Sequence, residues 1–186
     1  MRLLALTLSA SLCLPGLAAL GAPALEVLQP NGDAIAPGAW TNALAWGSNG
    51  EGQTTIPTSL GAVRAVAAGG THTVLLKADG KVAIRGKIHN GTKYVTATVP
   101  TGLSGVVAIA AGDNHTVALK QNGTVADWGY VYNGARYAAP SVPRGLSGVV
   151  AIAAGGDHTV ALKQDGSVVA WGYNSYGQTK DRKSVV

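Results

Sequence analysis

Three histidines, His72, His115 and His158, stand 43 residues apart, and imidazole is the side chain best suited to ligating a metal or moving a proton near neutral pH. Their spacing argues against a shared metal. Equivalent atoms of neighbouring β-sheets lie on the order of 10 Å apart, whereas zinc holds each ligand at about 2.1 Å, so histidines that recur once per sheet do not meet on one ion. A group present in every copy answers a need of every copy. The expectation is therefore a neutral imidazole that hydrogen-bonds backbone groups between strands. Asp113-Asn114-His115 and Gly156-Asp157-His158 resemble acid–base pairs, but Thr71 fills the place before His72 and no nucleophile accompanies any of the three. Gly102-Leu103-Ser104-Gly105 lacks the second glycine of a nucleophile elbow. No glycine-rich loop ends in Lys-Ser or Lys-Thr, and the single carboxylate of Asp79-Gly80 or Asp165-Gly166 falls short of a calcium loop. No catalysis, no cofactor and no metal are expected.

Binding chemistry is more plausible where the copies differ. The interval from the Trp-Gly position to the next proline is ten residues from Gly47 to Pro57, but fourteen from Gly86 to Pro100 and from Gly129 to Pro143. The longer segments carry Arg85, Lys87, His89, Lys93 and Tyr94 in one copy, and Trp128, Tyr130, Tyr132, Arg136 and Tyr137 in the next. Tyrosine, tryptophan and arginine are enriched in interface hot spots, and loops on a rigid frame are common recognition sites. Packing of Trp128 and Tyr130 between sheets is the alternative reading of those two residues.

The elements that position these residues repeat. Gly80, Gly123 and Gly166 keep the 43-residue step, as do Pro57, Pro100 and Pro143, and residues 102–129 match 145–172 at 22 of 28 positions. Within one unit, residues 149–155 read as a buried strand and the alternating residues 158–163 as a second. Gln164-Asp165-Gly166 supplies a primed hairpin turn or a glycine bulge, after which residues 167–171 pair back antiparallel. A fourth strand belongs between Trp171-Gly172 and the next proline. Gly69, Gly112 and Gly155 end Ala-Ala-Gly runs where sheets converge and only small side chains fit. A sheet of about forty residues cannot bury both faces alone, and a repeat of this length stacks radially as propeller blades.

Composition agrees with an all-β chain, because 26 glycines, one methionine and no phenylalanine accompany 47% apolar residues. Residues 1–24 have the pattern of a signal peptide: Arg2, an apolar run from Leu3 to Leu20 broken by Pro15, and small residues at Gly21, Ala22 and Ala24. A transmembrane anchor is not expected from so short and interrupted a run. Cleavage would leave a mature chain beginning at Ala22 or Leu25 and without a thiol, since Cys13 is the single cysteine. Residues 181–186, Asp-Arg-Lys-Ser-Val-Val, are what a common sequencing adapter encodes up to an in-frame stop, and are set aside. Residues 25–180 then hold 11 lysines and arginines against 8 acidic residues, a balance of +3. With no basic run interleaved with aromatics, no nucleic-acid surface is expected. The expected organisation is a leader at 1–24, a lead-in at 25–41 and propeller repeats at 42–180.

Residues 66–76, Val-Ala-Ala-Gly-Gly-Thr-His-Thr-Val-Leu-Leu, with their copies at 109–119 and 152–162, resemble the repeat of the regulator of chromosome condensation family. Residues 46–53, Trp-Gly-Ser-Asn-Gly-Glu-Gly-Gln, and 171–178, Trp-Gly-Tyr-Asn-Ser-Tyr-Gly-Gln, fit the second hallmark of that repeat. The resemblance covers residues 42–180 and implies a seven-bladed propeller of four-stranded blades, of which about three are present here. Seven such units need roughly 300 residues, so the expectation is the opening part of a longer protein. The function expected is an exported or surface-displayed scaffold, secreted or periplasmic, that binds another macromolecule, preferably a protein, through its blade-end loops. Family members include a nucleotide exchange factor for a small GTPase and a secreted β-lactamase inhibitor, so the fold does not choose the partner. Exchange activity is disfavoured by the leader and the lack of a basic tail. Blades flanking a downstream enzyme domain are the other alternative.

Overall fold

A computed structural model describes residues 43–180. The leader, the lead-in up to residue 42, Cys13 and residues 181–186 lie outside the described residues.

Each unit opens with three antiparallel strands. The first unit holds β1 (Val63–Ala68), β2 (His72–Lys77), β3 (Val82–His89) and β4 (Tyr94–Thr96), hydrogen-bonded in that order. The second holds β5 (Val106–Ala111), β6 (His115–Lys120) and β7 (Val125–Gly129), followed by a two-stranded ribbon of β8 (Val131–Tyr132) and β9 (Tyr137–Ala138). The third holds β10 (Val149–Ala154), β11 (His158–Lys163) and β12 (Val168–Gly172). The three expected strands of the third unit are thus present within a residue of their expected ends.

The turn between second and third strands takes the glycine-bulge form. In the third unit the Gly166 amide donates to the Lys163 carbonyl and the Lys163 amide to the Ser167 carbonyl, while Gly166 sits at φ 82°. A glycine tolerates that left-handed conformation, and the Asp165 carboxylate accepts the Ser167 amide to fix the turn. The periodic prolines also acquire a reason. Pro57, Pro100 and Pro143 each offer a carbonyl to the amide three residues on, at Leu60, Leu103 and Leu146, which turns the chain into the next first strand.

The units stack face to back. Leu76 of the first unit is buried with Val106 and Ala118 of the second, and Leu119 of the second with Val149 and Ala161 of the third. Burying one such leucine is worth about 2 kcal/mol. In the middle unit, covered on both faces, β6 is buried from His115 through Leu119, whereas in the third unit Leu162 and Val168 are 38% and 51% exposed. Backbone bonds reinforce the joints: the Gly70 amide reaches the Asp113 carbonyl at 3.2 Å and the Asp113 amide the Gly156 carbonyl at 2.9 Å.

The repeat histidines form the polar part of the same joints. Nε2 of His72 lies 3.0 Å from the Thr116 hydroxyl, and Nε2 of His115 lies 3.1 Å from that of Thr159, each threonine belonging to the following unit. The expectation of backbone partners is corrected here: the ring bonds a side-chain hydroxyl across the joint. Thr159 donates its one proton to Asp127 Oδ2 at 2.9 Å, so His115 donates through Nε2. Trp171 Nε1 donates to the same carboxylate oxygen at 2.8 Å. The glycine of each Ala-Ala-Gly run lies against the histidine of its own unit, and a methyl group at Gly69, Gly112 or Gly155 would overlap the imidazole.

Burial, and then the neighbouring histidine, lower the pKa of His72 and His115 to about 4, which leaves both rings neutral at ordinary pH. Nδ1 of both rings is buried without a hydrogen-bond partner among the described residues, so a proton added there finds no acceptor. Burial likewise raises the pKa of Asp127 to about 6, against the two hydrogen bonds that favour its anion.

Candidate functional site

The segments that vary in length lie together at one edge of the three sheets, where the third strands end. In the first two units these segments are two-stranded ribbons rather than irregular loops. Their outer ends have the same construction. The Asn90 side chain accepts the amides of Thr92 and Lys93, both at 3.0 Å, and the Asn133 side chain accepts those of Ala135 and Arg136 at 3.1 and 3.0 Å. Gly91 and Gly134 follow at φ 99° and 96°. The Asn90 amide closes on the Lys93 carbonyl and the Asn133 amide on that of Arg136, so Gly91 and Gly134 take the first central position of each turn, where a positive φ favours glycine. After Trp171-Gly172 the chain instead makes a compact turn, in which the Asn174 side chain accepts the Thr179 amide at 3.0 Å. Asn49 and Thr54 form the same bond in the other compact segment.

Six rings run in one continuous row along this edge. Tyr94 meets His89 at 5.2 Å between centroids, His89 meets Tyr137 at 5.7 Å, and Tyr137 meets Tyr132 at 5.5 Å. Tyr132 continues to Tyr173 at 5.8 Å and Tyr173 to Tyr176 at 6.1 Å. Cross-strand pairing explains the row. His89 opposes Tyr94 in β3–β4 and Tyr132 opposes Tyr137 in β8–β9, so each ribbon places two rings on one face. The Gly91 turn then approaches Tyr137, and the Gly134 turn approaches Tyr173. The row is open to solvent at its two ends, with Tyr94 48% and Tyr176 88% exposed, and the four rings between them are half-buried. Burial and the nearby carboxylates of Asp157 and Asp113 raise the pKa of Tyr137, so its hydroxyl stays protonated and able to donate.

The ten candidates from the sequence divide accordingly. His89, Tyr94, Tyr132 and Tyr137 are in the row, and Lys93 and Arg136 are exposed at matching places beside the two turns. Trp128 and Tyr130 are not. Both pack into the apolar joint between the first and second units, and Trp128 Nε1 donates to the Thr98 carbonyl at 2.8 Å. Arg85 is half-buried with its guanidinium on the Ile84 carbonyl at 2.8 Å, and Lys87 is paired with Glu51 at 3.0 Å. Two further members of the row, Tyr173 and Tyr176, lie within the repeat hallmark and are not among the ten. They replace Ser48 and Glu51 of the other compact turn, and that difference between copies is the signal that marks them.

A sequence model described as the regulator of chromosome condensation (RCC1) repeat matches residues 106–134 and 149–178. No curated protein sequence matches the chain significantly. Among solved structures, the ectodomain of the Physcomitrella patens receptor kinase CR4 is 22% identical, with a TM-score of 0.55 over 73% of this chain and 34% of that one. The CRINKLY WD40 ectodomain of the Arabidopsis thaliana receptor kinase ACR4 is 22% identical, with a TM-score of 0.54 over 75% and 46%. A chain of the complex of Kap60 with yeast RCC1 (Prp20) is 23% identical, with a TM-score of 0.50 over 68% and 38%. This chain therefore spans less than half the length of each of these structures. Sheets of three to four antiparallel strands, joined face to back through His and Thr at a 43-residue period, give the chain the fold of β-propeller blades, and residues 106–134 and 149–178 of it are repeats of the regulator of chromosome condensation (RCC1) type.

Proposed function

We propose that the chain is an exported, non-catalytic scaffold that binds a protein partner through the aromatic edge of its blades. The row of six rings carries this reading. Tyrosines bury large area at low entropic cost, and the asparagine, glycine and serine between them, with Lys93 and Arg136 alongside, supply adaptable polar contacts; binding loops of antibodies have the same composition. Yeast RCC1 (Prp20) is itself bound by a protein, Kap60. The leader pattern at residues 1–24 supports export. The test is capture of the partner from the source environment, followed by binding measurements on Tyr132→Ser/Tyr137→Ser. Affinity is expected to fall by tenfold or more with the melting temperature almost unchanged, because both rings lie outside the apolar joints. Unchanged affinity in this folded variant would remove the row from the interface.

A further inference from the structure

We propose that Asn114 and Asp157 are positioning residues: each reaches back from its own unit to fix the recognition ribbon of the unit before it. Asn114 Oδ1 accepts the His89 amide at 2.7 Å, and Asp157 Oδ1 accepts the Tyr132 amide at 2.8 Å. The two bonds are equivalent, each spanning 25 residues of chain, and each ends on the ring-bearing residue that opposes a tyrosine across its ribbon. The backbone carbonyls of the same two residues hold their own units: Asn114 O accepts the Tyr130 amide and Asp157 O the Tyr173 amide. One residue thus bridges the upper segments of two neighbouring blades and keeps the rings of both in one row.

The first unit supplies a natural control. The segment ahead of it is the compact turn near Asn49, not a ribbon, and the equivalent residue is Thr71, whose hydroxyl donates to the Lys87 carbonyl of its own unit at 2.7 Å. An acceptor that reaches backwards occurs at the two positions preceded by a ribbon and is replaced where a compact turn precedes. The side chain immediately ahead of each repeat histidine therefore specifies which upper segment the previous blade carries. Asn and Asp are equivalent for this purpose, because each presents a carbonyl-type oxygen at the same reach.

The functional meaning of this inference rests on the aromatic edge being the binding surface, but its structural content does not. The test is amide hydrogen exchange on the full chain, compared among the parent, Asn114→Leu, Asp157→Leu and the exchange variant Asn114→Asp/Asp157→Asn. Exchange at His89 is expected to accelerate tenfold or more in Asn114→Leu, and at Tyr132 in Asp157→Leu, each without change at the other site. The exchange variant, which keeps both acceptors and guards against misfolding of the leucine forms, should retain parental protection at both amides. Unchanged exchange in the leucine variants, or loss of protection spread evenly over β5–β7 and β10–β12, would overturn the assignment. These readouts need no partner, so failure of the binding reading and failure of this one are separable.

Discussion

Replacing Gly112 by alanine is expected to destabilise the protein by about 3 kcal/mol or more. The added carbon would meet the His115 imidazole on one side and lie 2.5 Å from the Gly155 carbonyl on the other. Neither can retreat cheaply. His115 is fully buried and tied to Thr159, and the Gly155 carbonyl belongs to the backbone of the next blade. Gly155 at the last blade makes the comparison decisive, since the atoms nearest a methyl group there all belong to the His158 ring. Gly155→Ala should therefore cost about 1 kcal/mol, and Gly155→Ala/His158→Ala should remove the conflict, leaving only the loss of the ring itself. In Gly112→Ala/His115→Ala the conflict with the Gly155 carbonyl persists, and rescue should be partial. Urea titrations of the four variants check this; equal costs at Gly112 and Gly155 would contradict the proposed packing.

Acidification is the second large effect. His72 and His115 have folded-state pKa values of about 4 against 6.5 for an unperturbed ring, so below pH 6.5 the unfolded chain takes up protons that the folded chain refuses. Stability from these rings is complete above about pH 6.5 and is lost as the pH falls towards 4. At pH 5 each ring costs about 2 kcal/mol. Asp127 acts in the opposite sense. Its folded-state value of about 6 lies above the ordinary 3.8, so its buried charge costs stability above pH 6 and that cost is relieved on acidification. Relief at pH 5 amounts to about 1 kcal/mol, and the net loss between pH 7.5 and pH 5 is about 3 kcal/mol. Denaturant midpoints at the two pH values measure it. A midpoint that held steady or rose at pH 5 would mean that the rings are not neutral and buried in the joints.

Much of this architecture is legible in the 43-residue period, because a sheet that repeats its glycine turns, its prolines and its histidine must repeat its neighbours as well. The period also shows that the histidines meet a structural need common to every unit. It does not show what they bond, since a partner in the next blade, such as Thr116 for His72, lies 44 residues away and no local pattern marks it. The recognition edge is half legible. Differences in length between copies point to the correct segments, but composition alone ranks Trp128 with Tyr132. The two part because Trp128 lies in β7 against the apolar joint, whereas Tyr132 lies in the ribbon opposite Tyr137. Tyr173 and Tyr176 are hidden because they sit in a compact segment without a length signal, and they join the row only through packing against the ribbon of the blade before.

The most direct test of the aromatic edge as the binding surface is site-specific photo-crosslinking, which captures a partner of any identity. A photoreactive phenylalanine analogue is placed at Tyr94 or Tyr176, which are exposed in the row, and in control proteins at Asn122 or Gln164, exposed in turns between second and third strands at the opposite edge. On irradiation with extract from the source environment, the account predicts one covalent protein adduct shared by the Tyr94 and Tyr176 probes and absent from the Asn122 and Gln164 probes. Adducts formed from the opposite edge, with none from the row, would contradict it.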